Sequence, residues 1–401
     1  MKTMKTSMKC LLAMVVMAMA LAVTGISAQA AATGLKQTSD STTSVKVEWG
    51  AVSGAKYYGY QIATDKNFTK IIKKDYTSSS FTSTYISGLT QGSTYYVRIG
   101  YGSAYNDCYK NWSAPLEVVT QPGTLSTVKF IDATDTTATI QYSAAGANRY
   151  SIYKSDRTSL VGTTTSGTYT IKNLNNTMKD FYYVAGQRVS STGYVASTTQ
   201  KFVYINLLTT KIAKKNFGLT DVLPYTNKVM ITALYSGSGF EVEMTNAGGS
   251  KFKATAASTK SYSREGSSTS YFTYKQNKYL KYRVRAYVKT DNGIKYGQWS
   301  DYRAFCEMNA KYTRGSRKIN FKWSKINGTG KIKVQVSKKQ NSGYKTFKTL
   351  AGSKKSVTVN KYGKSALTRN KKYYFRITPM VKINGKYVAS DFYNQQQIQV
   401  K

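Results

Sequence analysis

The chain has no histidine, four prolines, three cysteines and only 18 acidic residues against 59 basic ones. Without histidine there is no Ser-His dyad, and a frequent metal ligand is missing. A catalytic reading would have to rest on carboxylates, lysines or hydroxyls. The scarcity of proline excludes proline-rich spacers. Cys10 sits in an N-terminal apolar run, leaving Cys108 and Cys306, which fall in different repeats. An intra-domain disulfide framework is thereby excluded, and each is expected to be a free thiol or a core residue. A glycine-rich phosphate loop and any ligand cluster with metal spacing are also lacking. No catalytic residue, metal ligand or cofactor is therefore expected.

Lys2, Lys5 and Lys9 precede the apolar stretch from Cys10 to Val23, and Ala28-Gln29-Ala30 follows as a small-residue cleavage site. This pattern predicts a signal peptide over residues 1–30, and its apolar core is too short for a transmembrane segment. The expected product is a secreted, extracellular chain starting near Ala31. Gln395 to Lys401 carries no sorting signal, so retention at a cell surface would be by charge.

What is present is repetition. Leu89 leads through Gly92 to Tyr95-Tyr-Val-Arg-Ile99, and Leu367 leads at the same spacing to Tyr373-Tyr-Phe-Arg-Ile377. Weaker echoes lie at Phe181-Tyr-Tyr-Val184 and Leu280-Lys-Tyr-Arg-Val-Arg-Ala286. Ser44-Val-Lys-Val-Glu-Trp49 alternates with period two and predicts a strand burying Val45, Val47 and Trp49. Tyr60 and Ile62 are expected inward on the next strand, and Tyr95, Val97 and Ile99 on a third. Short strands broken by glycine and serine turns, with no helical periodicity, indicate antiparallel sandwiches of roughly 90 residues.

The core tryptophan, the Leu-x-x-Gly-x-x-Tyr-x-Val-x-Ile run and Trp112-Ser113 before a closing strand resemble a fibronectin type III domain. The resemblance implies an all-β chain of four tandem immunoglobulin-like antiparallel β-sandwiches: residues 31–120, a degenerate copy at 121–206, 207–306 and a strongly basic copy at 307–401. It also implies that Trp49, Leu89, Tyr95, Trp112, Trp299, Trp323, Leu367 and Tyr373 are structural framework, with Tyr95 and Tyr373 forming tyrosine corners. The serine- and threonine-rich stretch from Ala254 to Gln276 reads as a long loop, and short junctions predict beads with limited freedom.

The charge is uneven: of the +41 total, the segment 307–401 contributes 23 basic and 2 acidic residues, an excess of +21. Strand alternation turns Lys331, Lys333, Tyr374 and Arg376 outward, and the resemblance makes their strands neighbours. These four are the candidate anion-binding residues. In the third copy Glu241 and Glu243 face Lys281, Arg283 and Arg285, so charges there can pair across strands; flanked by arginines, the two carboxylates would stay ionised and offer no general acid. The functional reading is a non-enzymatic binding, adhesion or spacer protein of secreted bacterial type, held to an anionic polymer, an acidic glycan or another cell-surface component. Nucleic acid is the weaker form of that idea, because no nucleic-acid motif occurs. The plain alternative is a solvated basic face. A reading of a different class is an accessory carbohydrate-binding protein for polysaccharide degradation, with tyrosines stacking on sugars.

Overall fold

The computed structural model describes residues 31–175, 180–223, 228–246, 255–257, 267–273, 280–306, 308–326, 328–391 and 393–401, with side chains at 220–230 and 244–280 not described. The expected signal peptide and Glu307 lie outside the described residues.

The alternation of Ser44–Glu48 sends Val45 and Val47 into a core and Lys46 and Glu48 out, where they pair at 2.9 Å. That strand sits between Lys36–Asp40 and Ser83–Ser87 in a three-stranded antiparallel sheet. Ile71–Ser78, Tyr57–Ala63, Thr94–Gly102 and Leu116–Val119, in that order, make the facing sheet. Tyr58, Tyr60, Ile62, Tyr95, Val97 and Ile99 meet Val45, Val47, Trp49 and Ile86 between the layers. Each buried aliphatic side chain there contributes about 1.5–3 kcal/mol by leaving water.

The same plan recurs along the chain. Three-stranded sheets occur again at 127–171, 217–273 and 310–359. Each faces a five-stranded sheet built on a long strand: Asp180–Val189, Leu280–Thr290 or Lys372–Ile383. The fold is all-β, a succession of immunoglobulin-like, fibronectin type III-like antiparallel sandwiches. Part of the stretch expected as a loop is strand: Thr255–Ala257 pairs Gly239–Asn246, and Ser267–Thr273 pairs Lys228–Leu234. The β-favouring Thr269, Tyr271, Phe272 and Thr273 complete a sheet edge there. Residues 254, 258–266 and 274–276 of that stretch lie outside the described residues.

The corner tyrosines close their turns. The Tyr95 hydroxyl accepts the Thr90 N–H at 2.9 Å, and the Tyr373 hydroxyl accepts that of Thr368 at 3.3 Å. Gly186 leaves room for Ala144: a Cβ there would lie 2.9 Å from the Ala144 methyl.

Successive sandwiches are fastened differently. Between the first and second, Gly92 and Gly146, both with positive φ, pack back to back so closely that a Cβ on either would lie 2.5 Å from the other's Cα. Tyr194 donates to Asp40 at 2.6 Å, and Ser191 donates its N–H and hydroxyl to Glu117. The second and third share one continuous apolar cluster running from Leu125 through Leu208 and Ile212 to Phe305. Asp291 there accepts the Phe130 N–H at 2.7 Å, and Lys295 pairs with Asp132. Between the third and fourth, Asp391 takes Arg303 and the buried Tyr282 hydroxyl, while its own N–H bonds to the Ala304 carbonyl at 2.8 Å.

That last junction reuses a repeated element. Ser113, Thr198 and Ser300 each donate their N–H to the carbonyl of Ile99, Gly186 or Val284, and their hydroxyls accept the N–H of that same residue. Ser390 makes the equivalent backbone bond to Pro379, which has no N–H to return. Its hydroxyl instead accepts the Cys306 N–H at 2.9 Å.

Candidate functional site

The register of the ladder between Lys331–Ser337 and Lys372–Ile383 sets Lys331 opposite Met380, Lys333 opposite Thr378, Gln335 opposite Arg376 and Ser337 opposite Tyr374. Residues directly opposite in an antiparallel pair share a face. Ile332, Val334, Phe375 and Ile377 fill the core. Lys331, Lys333, Tyr374 and Arg376 therefore stand together on the outer side of one sheet.

They are not equally free. The Arg376 guanidinium lies 3.7 Å from the ring centroid of Tyr344 and 4.6 Å from that of Tyr393, while its Nε donates to Gln395 at 2.7 Å. Lys331 rests 4.2 Å above the ring of Tyr387. Tyr374 accepts the Gln397 amide at 3.1 Å. Lys333 lies between Thr349 and Thr378. Stacking on a ring keeps the charge of a cation and fixes its position, a favourable arrangement for meeting an anion without further loss of side-chain freedom.

Arginine held by rings is a recurring device. Arg98 lies 4.2 Å from Phe68 and 4.5 Å from Trp112, and its Nη2 donates to Gln61 at 2.7 Å. In the third sandwich Arg283 and Arg285 flank Trp299 at 4.8 and 4.5 Å, with Tyr302 and Tyr296 beyond them. There each arginine also meets the carboxylate directly opposite: Glu243 with Arg283 at 2.8 Å and Glu241 with Arg285 at 2.7 Å. The hydrogen bond from Arg283 holds the Glu243 carboxyl below its ordinary 4.5. Trp112 and Trp299 are thus half-buried on outer faces as plates for arginine, whereas Trp49 and Trp323 lie in cores beside Leu89, Tyr95, Leu367 and Tyr373.

In the fourth sandwich the compensating acids are missing. Its described carboxylate, Asp391, is held by Arg303 of the preceding segment, and no lysine or arginine among the described residues of 308–401 is in an ion pair. The second sheet adds cations that sequence reasoning did not single out. Lys311 is directly opposite Lys322, both exposed, in the ladder between Ala310–Gly315 and Lys318–Trp323. Like charges so placed cost a few tenths to about 1 kcal/mol, a cost that a bound anion removes. Lys338 and Lys345 also share the ring of Tyr362, at 5.5 and 4.9 Å. Alternation within the two strands would have turned Lys311 and Lys322 outward, but their register came only from the structure.

Cys108 and Cys306 are buried thiols outside any disulfide, and burial raises the Cys108 thiol above its ordinary value. No helix among the described residues is long and apolar enough to cross a membrane.

No family model matches the chain. No curated protein matches it either. Solved structures similar to it include chicken CNTN1 FN1–FN3 domains, at 9% identity over 70% of this chain and 100% of that one, with a TM-score of 0.24. Another is a two-domain fibronectin type III segment from chicken tenascin, at 14% identity over 43% of this chain and 98% of that one, with a TM-score of 0.25. The fold assignment rests on the sheet order and turn chemistry above.

Proposed function

We propose that this chain is a non-enzymatic, exported binding or spacer protein of four sandwiches, 31–120, 121–206, 207–306 and 307–401, following a signal peptide. It attaches to an anionic polymer, such as a cell-wall phosphate polymer or an acidic glycan, through the fourth. The observation that carries this reading is the set of cations of 308–401 without a carboxylate partner: Lys311 facing Lys322 on one sheet, and on the other sheet the half-buried Lys333 beside the ring-held Arg376 and Lys331. In the third sandwich the outward Arg283 and Arg285 have carboxylates opposite them; here Arg376 has glutamines opposite it and rings beside it.

The test uses the full chain, since Asp391 and Ser390 interlock the last two sandwiches. Retention on immobilised inorganic polyphosphate is measured against salt for the native chain and for the triple variant K311Q/K322Q/K333Q. A second triple variant, K66Q/K70Q/K73Q, removes equal charge from the first sandwich. Losing three anion contacts should lower the slope of log retention against log salt by about two in the first variant and leave it unchanged in the second. Equal shifts in both would reduce the interaction to bulk charge and end the proposal.

A further inference from the structure

The second sandwich breaks the arginine-and-ring pattern. On its larger sheet the outward residues of three strands form an aromatic block: Tyr153 is opposite Tyr183, Tyr183 is opposite Phe202, and Phe181 is opposite Tyr204. Leu160, opposite Tyr153 on the fourth strand, extends the row. The rings touch one another with centroids 5.3–6.3 Å apart and planes inclined by 60–75°. Phe202, Tyr204 and Leu160 are 54, 66 and 56% exposed. Sheet stability does not require such exposure, and contiguous apolar surface of this kind marks a contact site.

Charge decides among the partners. Arg157 lies over this face, 4.5 Å from the Tyr183 ring, and Arg149, outward on the same strand as Tyr153, is held by Gln187 at 2.7 Å. The neighbouring Lys201 is turned away, donating to the Leu125 carbonyl. Asp156 is taken up by Ser159 and Thr158, and Asp180 by the Phe181 N–H. The face therefore matches neither a polyanion nor a polycation. A second copy of the chain would bring a further +41 against the first, which opposes self-association. A neutral polymer with apolar C–H faces and many hydroxyls fits: pyranose rings stack on the exposed rings of Phe202 and Tyr204, with tyrosine hydroxyls of the block as hydrogen-bonding groups. The row from Leu160 to Phe202 crosses four strands, about 14 Å, which accommodates a short run of linked sugars.

We infer that the aromatic face of the second sandwich, centred on Phe202 and Tyr204, binds a neutral polysaccharide, separately from the cationic face of the fourth.

The experiment is sedimentation of the full chain with insoluble cellulose, chitin and unsubstituted xylan in 1 M NaCl, where charge attraction is screened to about 3 Å. The comparison is the double variant F202A/Y204A, whose changes lie on exposed side chains; an unchanged melting curve confirms that it folds. The native chain should be retained by at least one of the three, and the variant should bind that polymer about tenfold or more weakly, since two ring contacts are lost. Retention of both proteins on polyphosphate at low salt should be equal, so this result stands or falls apart from that of the cationic face. Lack of binding to all three polymers, or equal binding by the variant, overturns the inference. So does a dimer, seen in sedimentation equilibrium, that the same two substitutions dissolve.

Discussion

Replacing Asp391 by asparagine should loosen the joint between the third and fourth sandwiches more than any other single change of charge in the chain. Arg303 donates to Asp391 from Nε at 2.8 and 2.9 Å and from Nη2 at 2.6 Å, while its Nη1 donates to the carbonyls of Lys214 and Phe217, both at 2.7 Å. The side chains are 22 and 13% exposed, so water screens them only in part. The Tyr282 hydroxyl donates to the same carboxylate, and burial together with that carboxylate pushes Tyr282 well above its ordinary 10. Asparagine keeps the shape and removes the charge, leaving a guanidinium pinned by two carbonyls without its counter-ion. Breaking a fully buried pair costs about 3–5 kcal/mol; with the residual exposure here the expected loss is about 2–3 kcal/mol. For a cooperative unit of this size that lowers the melting temperature by roughly 4–10 °C. The assay is thermal and urea unfolding of the full chain, followed by a double-mutant cycle with Arg303→Met. If Asp391→Asn stays within about 0.5 kcal/mol of the native chain, the pair is worth no more than a surface ion pair and the reasoning fails.

Two further outcomes are expected. Glu243 has its carboxyl held below 4.5 by the Arg283 hydrogen bond, so its stabilising contribution is complete above pH 4.5 and disappears as pH falls through the lowered folded value. Melting curves from pH 6 to 3 at constant ionic strength should show the native chain losing its advantage over Glu243→Gln in that window; parallel curves would count against it. Tyr95→Phe should destabilise by about 1 kcal/mol through loss of the acceptor for the Thr90 N–H, and Tyr373→Phe by less, its bond being 3.3 Å rather than 2.9 Å. Urea unfolding checks the order, and a larger loss at Tyr373 contradicts it.

Much of the fold could be read from local pattern. Period-two alternation placed Val45, Val47, Tyr95, Val97 and Ile99 inward, and the facing of Glu241 and Glu243 with Arg283 and Arg285 followed from the same rule. What pattern could not supply was the company kept by loop residues. Trp112 and Trp299 read as framework in sequence, and each follows a loop that returns over the outer sheet face and lays its ring on an arginine. Arg376 looked like an open cation, and the rings that hold it, Tyr344 and Tyr393, come from two other loops. The aromatic block of the second sandwich was hidden for another reason. Phe181 and Tyr183 stand in sequence only as a weaker echo of the repeated run, and Phe202 and Tyr204 join them through register alone. Asp391 seemed an isolated acid in a basic segment, because its partner lies 88 positions earlier.

The carboxylates fastening the junctions, Asp40 and Glu117, then Asp132 and Asp291, then Asp391, bear on how the chain would respond to pulling. A tether drawn between its two ends loads these polar contacts in series with the apolar cluster shared by the second and third sandwiches. Each extended ladder, by contrast, shares the strain over many parallel hydrogen bonds. Extension would begin by hinging at the joints, which yields small increments of length and leaves every sandwich intact.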